Sequence, residues 1–106
     1  MVDQNDEHVL VKYVTTDRIC LIEKFSKLNN LKLLAAKNLE IIKNNFNDLK
    51  NINVYCNQLS SDLEKELFIL LFDIVNISDI IIRHRLYIVY CDIINKSCRI
   101  LNTKED

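Results

Sequence analysis

A mainly α fold, a compact bundle of about five helices, is predicted from three features of this sequence. Apolar residues recur at spacings of three and four over most of the 106 residues, the period of one helix face. Neither glycine nor proline occurs, where average usage of roughly 7% and 5% would supply about seven and about five. Asparagine, present 13 times, punctuates the periodic runs at Asn29, Asn30, Asn44, Asn45, Asn51, Asn57 and Asn76. It is the best remaining residue for left-handed turns and helix caps in a chain without glycine. At this length a single domain, 1–106, is expected, with polar ends at 1–7 and 102–106 that fray.

Each element has its own signal. Residues 8–15, HVLVKYVT, place Val9, Val11 and Tyr13 on one period-2 face, so a short strand competes with helix near the N-terminus. Thr16 is placed to cap a first helix of about three turns, in which Ile19, Leu21, Ile22 and Phe25 recur through Leu28. After the Asn29–Asn30 break, Leu31, Ala35, Leu39, Ile42 and Phe46 step by threes and fours with Leu34 beside them. Lys32, Lys37, Glu40, Lys43 and Asn47 fill the other side, giving an amphipathic helix over about 31–46. The adjacent Ala35 and Ala36 are small residues in its apolar stripe, suited to close approach by a neighbouring helix. Residues 47–59 read as a loop or one short helix pinned by Leu49, Val54, Tyr55 and Leu59.

Ser61 and Glu64 form a capping box, with the hydroxyl taking a free backbone N–H and the glutamate returning to the cap residue's own N–H. The helix it opens carries Leu63, Leu67, Leu70, Leu71 and Ile74, widened by Phe68 and Phe72 until it is apolar most of the way round, and it should be central. Ser78 is placed to cap the last segment, in which Ile82, Leu86, Val89, Ile93 and Ile100 share a face away from Arg85, Asp92 and Lys96. Helix is favoured there, with 85–91, LYIVY included, as the strand alternative that would pair with 9–14. Residues 102–106 form a polar tail.

The same composition narrows function. Phosphate-cradling loops, dinucleotide fingerprints and strained nucleophile elbows all need glycine and are excluded. A formal net charge of −1 supplies no global field for nucleic acid. The tight basic cluster Arg83, His84 and Arg85 reads as solvated helix surface. The acidic start MVDQNDEHVL lacks the pattern of a secretory signal, and no apolar run approaches the ~20 residues of a spanning helix, so a cytoplasmic protein is expected, without membrane attachment.

Cys20, Cys56, Cys91 and Cys98 contain no Cys-x-x-Cys pair and read as small buried hydrophobes. His84, Cys91 and Cys98 follow one another at intervals of seven, but each interval is about 10.5 Å along a helix, too far for one zinc ion. Asp62 and Glu66 read as first-turn residues favoured by the helix dipole. With only His8 and His84 as imidazole bases, no catalytic residues are assigned, no metal or cofactor is implied, and an enzyme is not expected.

One resemblance bears on function. The run FSKLNNLKLLAAKNLEIIKNNFNDLKNINVYCNQLSSDLEKELFILL resembles the start of a BACK domain, the helical segment that follows the BTB fold in cullin-RING adaptors. In that family a small-residue helix runs into an Asn-Phe or His-Phe pair, here Asn45 and Phe46, and a leucine and serine, here Leu59 and Ser60, introduce the next helix. The similarity extends through VNISDIIIRHRLYIVYCD, without the family's tryptophan-valine step, and HVLVKYVTTDRI is similar to the last BTB strand and turn. The spacing of Leu31, Ala35 and Leu39 is also similar to an elongin-binding box of the SOCS and VHL type, with alanine where that box has cysteine.

The resemblance implies non-enzymatic recruitment of a protein partner such as a cullin, elongin C or a BTB-type protein. The surface it implies is the helix from Leu31 to Phe46, with Leu31, Lys32, Ala35, Leu39, Lys43 and Phe46 as partner-binding candidates. The competing reading is a viral or parasite bundle that sequesters a host regulatory protein, which would suit a composition with 15 isoleucines and 13 asparagines. The all-round apolar helix from Leu63 to Ile74 makes a homodimer a further expectation. A nucleic-acid site at Arg83 and Arg85 and a thiol enzyme at Cys91 are the remaining classes.

Overall fold

The computed structural model describes the backbone of residues 17–105 and the side chains of 18–100. Within them the chain forms α1 (Asp17–Phe25), α2 (Leu31–Asn45), α3 (Leu49–Gln58), α4 (Asp62–Val75) and α5 (Ile80–Glu105), and no strand. The mainly α bundle expected from the periodicity is what the chain builds. Residues 85–91 lie inside α5, so the strand alternative fails there; 8–15 and the Thr16 cap lie outside the described residues. The radius of gyration, 13.9 Å, is close to the ~13 Å of a compact domain of this length.

α4 is the central element. Leu67, Phe68, Leu70, Leu71 and Ile74 are buried on it, and it packs against all four other helices. Its apolar circumference is therefore covered from within the chain, apart from exposed Ile69. The rest of the core comes from Leu21 and Phe25 of α1, Leu31 and Ile42 of α2, Ile52 of α3, and Leu86, Tyr90, Ile93 and Ile94 of α5.

Helix ends show how the chain manages without glycine. Asn30 takes φ 57° and ψ 36°, the left-handed conformation, and makes no side-chain cap; its role is to turn the backbone into α2. Asn45 and Asn76 instead fold back, each side-chain amide donating to the carbonyl four residues earlier, Ile41 at 3.0 Å and Phe72 at 2.8 Å. Those bonds help satisfy carbonyls at helix C-termini, a task usually met by a glycine turn.

Several expectations change in detail. α1 stops at Phe25, three residues before Leu28, because Ser26 Oγ donates to the Glu23 carbonyl at 2.6 Å and tighter i→i+3 bonds close the turn. Ile19 is exposed, not part of the buried stripe. Residues 49–58 are a helix capped by Asp48, whose carboxylate accepts from the Asn51 N–H at 3.3 Å and the Asn51 amide at 2.7 Å. Ile52 pins this helix; Leu49 and Val54, expected anchors, face solvent.

Ser61 does accept from the Glu64 N–H at 3.2 Å, but the Glu64 carboxylate reaches one residue further back, to the N–H and hydroxyl of Ser60. These bonds hold the Glu64 carboxyl below the usual carboxylate range. At the start of α5 the capping carboxylate is that of Asp79, accepting from Ile81 and Ile82 N–H, in place of the expected Ser78. The helix then runs through 102–105, the residues expected as a polar tail.

Two buried polar contacts tie helices together. Ser97, fully buried on α5, has its hydroxyl 2.9 Å from the Ile22 carbonyl of α1 and 2.8 Å from the Ile93 carbonyl of its own helix. Asn38, fully buried on α2, accepts from the Tyr55 hydroxyl of α3 at 2.7 Å, and Tyr55 meets Phe68 of α4 edge-on at 5.2 Å. Burial, with Glu64 and Cys56 nearby, pushes the Tyr55 phenol up.

Candidate functional site

α2 and α5 pack against each other, yet they do not close along their whole length. Ala35 is half-buried and packs against the core, as the expectation of a close neighbour requires, whereas Ala36 is exposed. Their small side chains leave a cleft of about 250 Å³, walled by Ala35, Ala36 and Leu39 on α2 and by Tyr87, Tyr90, Cys91 and Asn95 on α5. A second cleft of about 410 Å³ adjoins it through Leu39 and continues past Lys43 and Phe46 to Val75 and Arg83. Val75 and Arg83 lead into a third, about 400 Å³, lined also by Ile74, Ile80, His84 and Tyr87. Tyr87 closes the circuit because it borders the first and third clefts. The three clefts neighbour one another along α2, the end of α4 and the first four turns of α5, with Leu39, Val75, Arg83 and Tyr87 as shared walls.

The floor and walls are mostly apolar and aromatic. Tyr87 and Tyr90 lie nearly parallel with centroids 6.4 Å apart. Burial pushes the Tyr87 phenol up, helped by the Cys91 thiol one turn on. Tyr90 is 4% exposed, its hydroxyl has no hydrogen-bond partner among the described residues, and burial drives its phenol far above the ordinary range. An unsatisfied buried hydroxyl costs roughly 1–3 kcal/mol. The charged side chains lining the clefts are Lys43 and Arg83, with the imidazole of His84 beside them and no carboxylate among the lining residues. Arg83 is fixed at the junction of two clefts, its Nη1 donating to the Ile77 carbonyl at 3.0 Å.

Of the six partner-binding candidates, Ala35, Leu39, Lys43 and Phe46 line these clefts. Phe46 is 44% exposed just beyond α2. Lys32 is exposed but stands off the clefts, and Leu31, 1% exposed, faces the core. Sequence reasoning missed the far wall, Val75, Arg83, Tyr87 and Cys91. Its trace is a stripe of mixed polarity, Ile80, His84, Tyr87, Cys91 and Asn95, spaced by fours and threes beside the purely apolar face of α5.

The remaining chemistry-bearing residues disperse. Arg85 is exposed off the clefts, so the basic run 83–85 does not form one face. Cys20 is exposed, against the expectation of burial, while Cys56, Cys91 and Cys98 are partly buried and all four are free thiols. Glu66 pairs with Lys24 of α1 at 3.0 Å. Among the described residues no three His, Cys, Asp or Glu side chains are placed to hold a metal ion, and no helix is long and apolar enough to cross a membrane. The chain matches no protein-family model, no curated protein and no solved structure.

Proposed function

We propose that this chain is a non-enzymatic protein–protein interaction module, an adaptor-like helical domain that recruits its partner through the groove between α2 and α5. The observation that carries this reading is the clustering of three mostly apolar clefts on one face, with Leu39, Phe46 and Tyr87 on their walls. A concave apolar strip of this kind gains roughly 25 cal/mol for each Å² a partner covers, and aromatic side chains are typical anchors of such contacts. The dispersal of cysteines, histidine and carboxylates supports recruitment over catalysis. His84 and Cys91 are separated by about 10.5 Å of helix rise, too far to act as nucleophile and base.

The BACK-like order of helices in the sequence makes a cullin, elongin C or a BTB-type protein the first partners to look for. Affinity capture from eukaryotic cell lysate, read by mass spectrometry, tests the proposal. Enrichment of one such protein by the wild-type chain, and its loss with Ala36→Trp, supports the adaptor role. Recovery of nothing above background overturns the interaction reading.

A further inference from the structure

The bend between α1 and α2 rests on one residue. Exposed Asn30, at φ 57° and ψ 36°, is the sole residue at positive φ among the described residues, and its side chain makes no cap bond. Asparagine tolerates that conformation better than most residues, yet it is disfavoured for any L-residue. On both sides of the break the backbone is already bonded as helical turns. The Ser26 N–H donates to the Ile22 carbonyl at 3.1 Å, the Leu28 N–H to the Phe25 carbonyl at 3.0 Å, and the Leu34 N–H to the Asn30 carbonyl at 2.9 Å.

The sequence across the bend does not stop a helix. Residues 26–30 hold neither proline nor glycine, and Leu21, Phe25, Leu28, Leu31 and Ala35 step by four, three, three and four straight through them. We infer that two copies of this chain exchange α1. Asn30 leaves the left-handed region, 17–45 becomes one helix about 43 Å long at ~1.5 Å per residue, and each α1 docks on α4 and α5 of the other copy.

What α1 covers fixes the occupant. In the single chain Leu21 and Phe25 are buried, the Ile22 carbonyl lies 2.9 Å from the Ser97 hydroxyl, and Lys24 pairs with Glu66 at 3.0 Å. An α1 swung away uncovers apolar surface on α4 and α5 and takes a partner from Ser97, so an opened chain is unfavourable alone. The helix complementary to that site is α1, and a second copy carries it. The two vacated sites fill each other about a two-fold axis, and each of these contacts is regained between chains. The balance then sets relief at two Asn30 backbones against the loss of proximity within one chain, so protein concentration governs the exchange. Short hinges under strain are the ones that swap.

Refolding the full chain from urea at roughly 1 mM and at roughly 1 µM, followed by light scattering on a sizing column, tests this. The concentrated sample yields dimer and the dilute one monomer. Asn30→Ala favours helix and loses the tolerance of positive φ, and it raises the dimer-to-monomer ratio at least about ten-fold; Asn30→Gly accepts positive φ freely and lowers the ratio. Exchange is told from simple contact by refolding an equal mixture of isotope-labelled and unlabelled chains and joining Lys24 to Glu66 with a zero-length carbodiimide. In swapped dimers about half of the Lys24–Glu66 cross-links join a labelled to an unlabelled chain. A wild type that refolds only as monomer at both concentrations overturns the inference. So does a dimer whose Lys24–Glu66 cross-links all lie within one chain, or a ratio that moves the same way in both Asn30 variants. Circular dichroism verifies that the variants fold, and the wild-type cross-link decides the matter should Asn30→Ala fail to.

Discussion

α5 presents two sides that the chain treats differently. Toward α1 it is closed: Ile93 is 0% exposed, and the Ser97 hydroxyl sits among the carbonyls of both helices. Toward α2 it is open, because Ala35 and Ala36 stand where larger side chains would have filled the space between the helices. The first side is a packing surface with a polar lock, and the second is a shaped vacancy. One helix can therefore hold the bundle together and supply the wall of a binding site, provided the residues opposite it differ in volume.

The sharpest way to break this contrast is truncation on each side. Ile93→Ala should lower unfolding free energy by about 2–5 kcal/mol, the range for buried large-to-alanine changes. Phe46→Ala, on the groove, should cost under about 1 kcal/mol and weaken partner capture instead. Urea denaturation of both variants checks the pair, and equal losses would remove the distinction between the two sides. Ser97→Ala should cost about 1 kcal/mol, since a net hydrogen bond is worth about that much and the alanine leaves no unsatisfied hydroxyl. A loss nearer zero would mean that apolar packing alone closes the α1 side.

Tyr90→Phe probes the groove floor and has the opposite sign. Deleting a buried hydroxyl without a partner among the described residues should leave stability unchanged or raise it by up to about 1 kcal/mol, read as a higher melting temperature. A fall would show that the hydroxyl is satisfied in solution.

The smallest effect lies away from both sides, at Glu64. Its carboxyl is held below the usual range by Ser60, so its contribution is present above the ordinary glutamate pKa of ~4.3 and disappears as pH falls through the lowered folded value. The stability difference between wild type and Glu64→Gln should shrink between pH 6 and pH 3. A constant difference would assign the effect to something other than charge.

Much of this was legible in the sequence where one local signal dominated. α2 and α4 begin where the asparagine break and the serine-glutamate spacing put them, and the central place of α4 follows from its apolar circumference. α3 was ambiguous because its polar residues alternate with single apolar ones, and one residue, Ile52, does most of the anchoring. The end of α1 was misplaced because Leu28 continues the apolar spacing while the Ser26 side chain turns the backbone away. The groove was only half legible. Ala35, Leu39, Lys43 and Phe46 share one helix and one period, whereas Val75, Arg83 and Tyr87 join them through tertiary packing, which the mixed-polarity stripe through Tyr87 does not by itself specify.

The short connections at 26–30, 46–48, 59–61 and 76–79 also bear on how quickly this fold is reached. α2, α3 and α4 are neighbours in sequence and in space, so their contacts close at little loop-entropy cost, as in fast-folding helical proteins. No prolyl bond exists to isomerise, so the slow phase of tens of seconds that limits many chains has no source here. The bond between Ser97 and Ile22 joins residues 75 apart and is the costly closure. Docking of α1 onto α5 is thus the step expected last in refolding and first in unfolding, with Ser97→Ala speeding unfolding more than it slows folding.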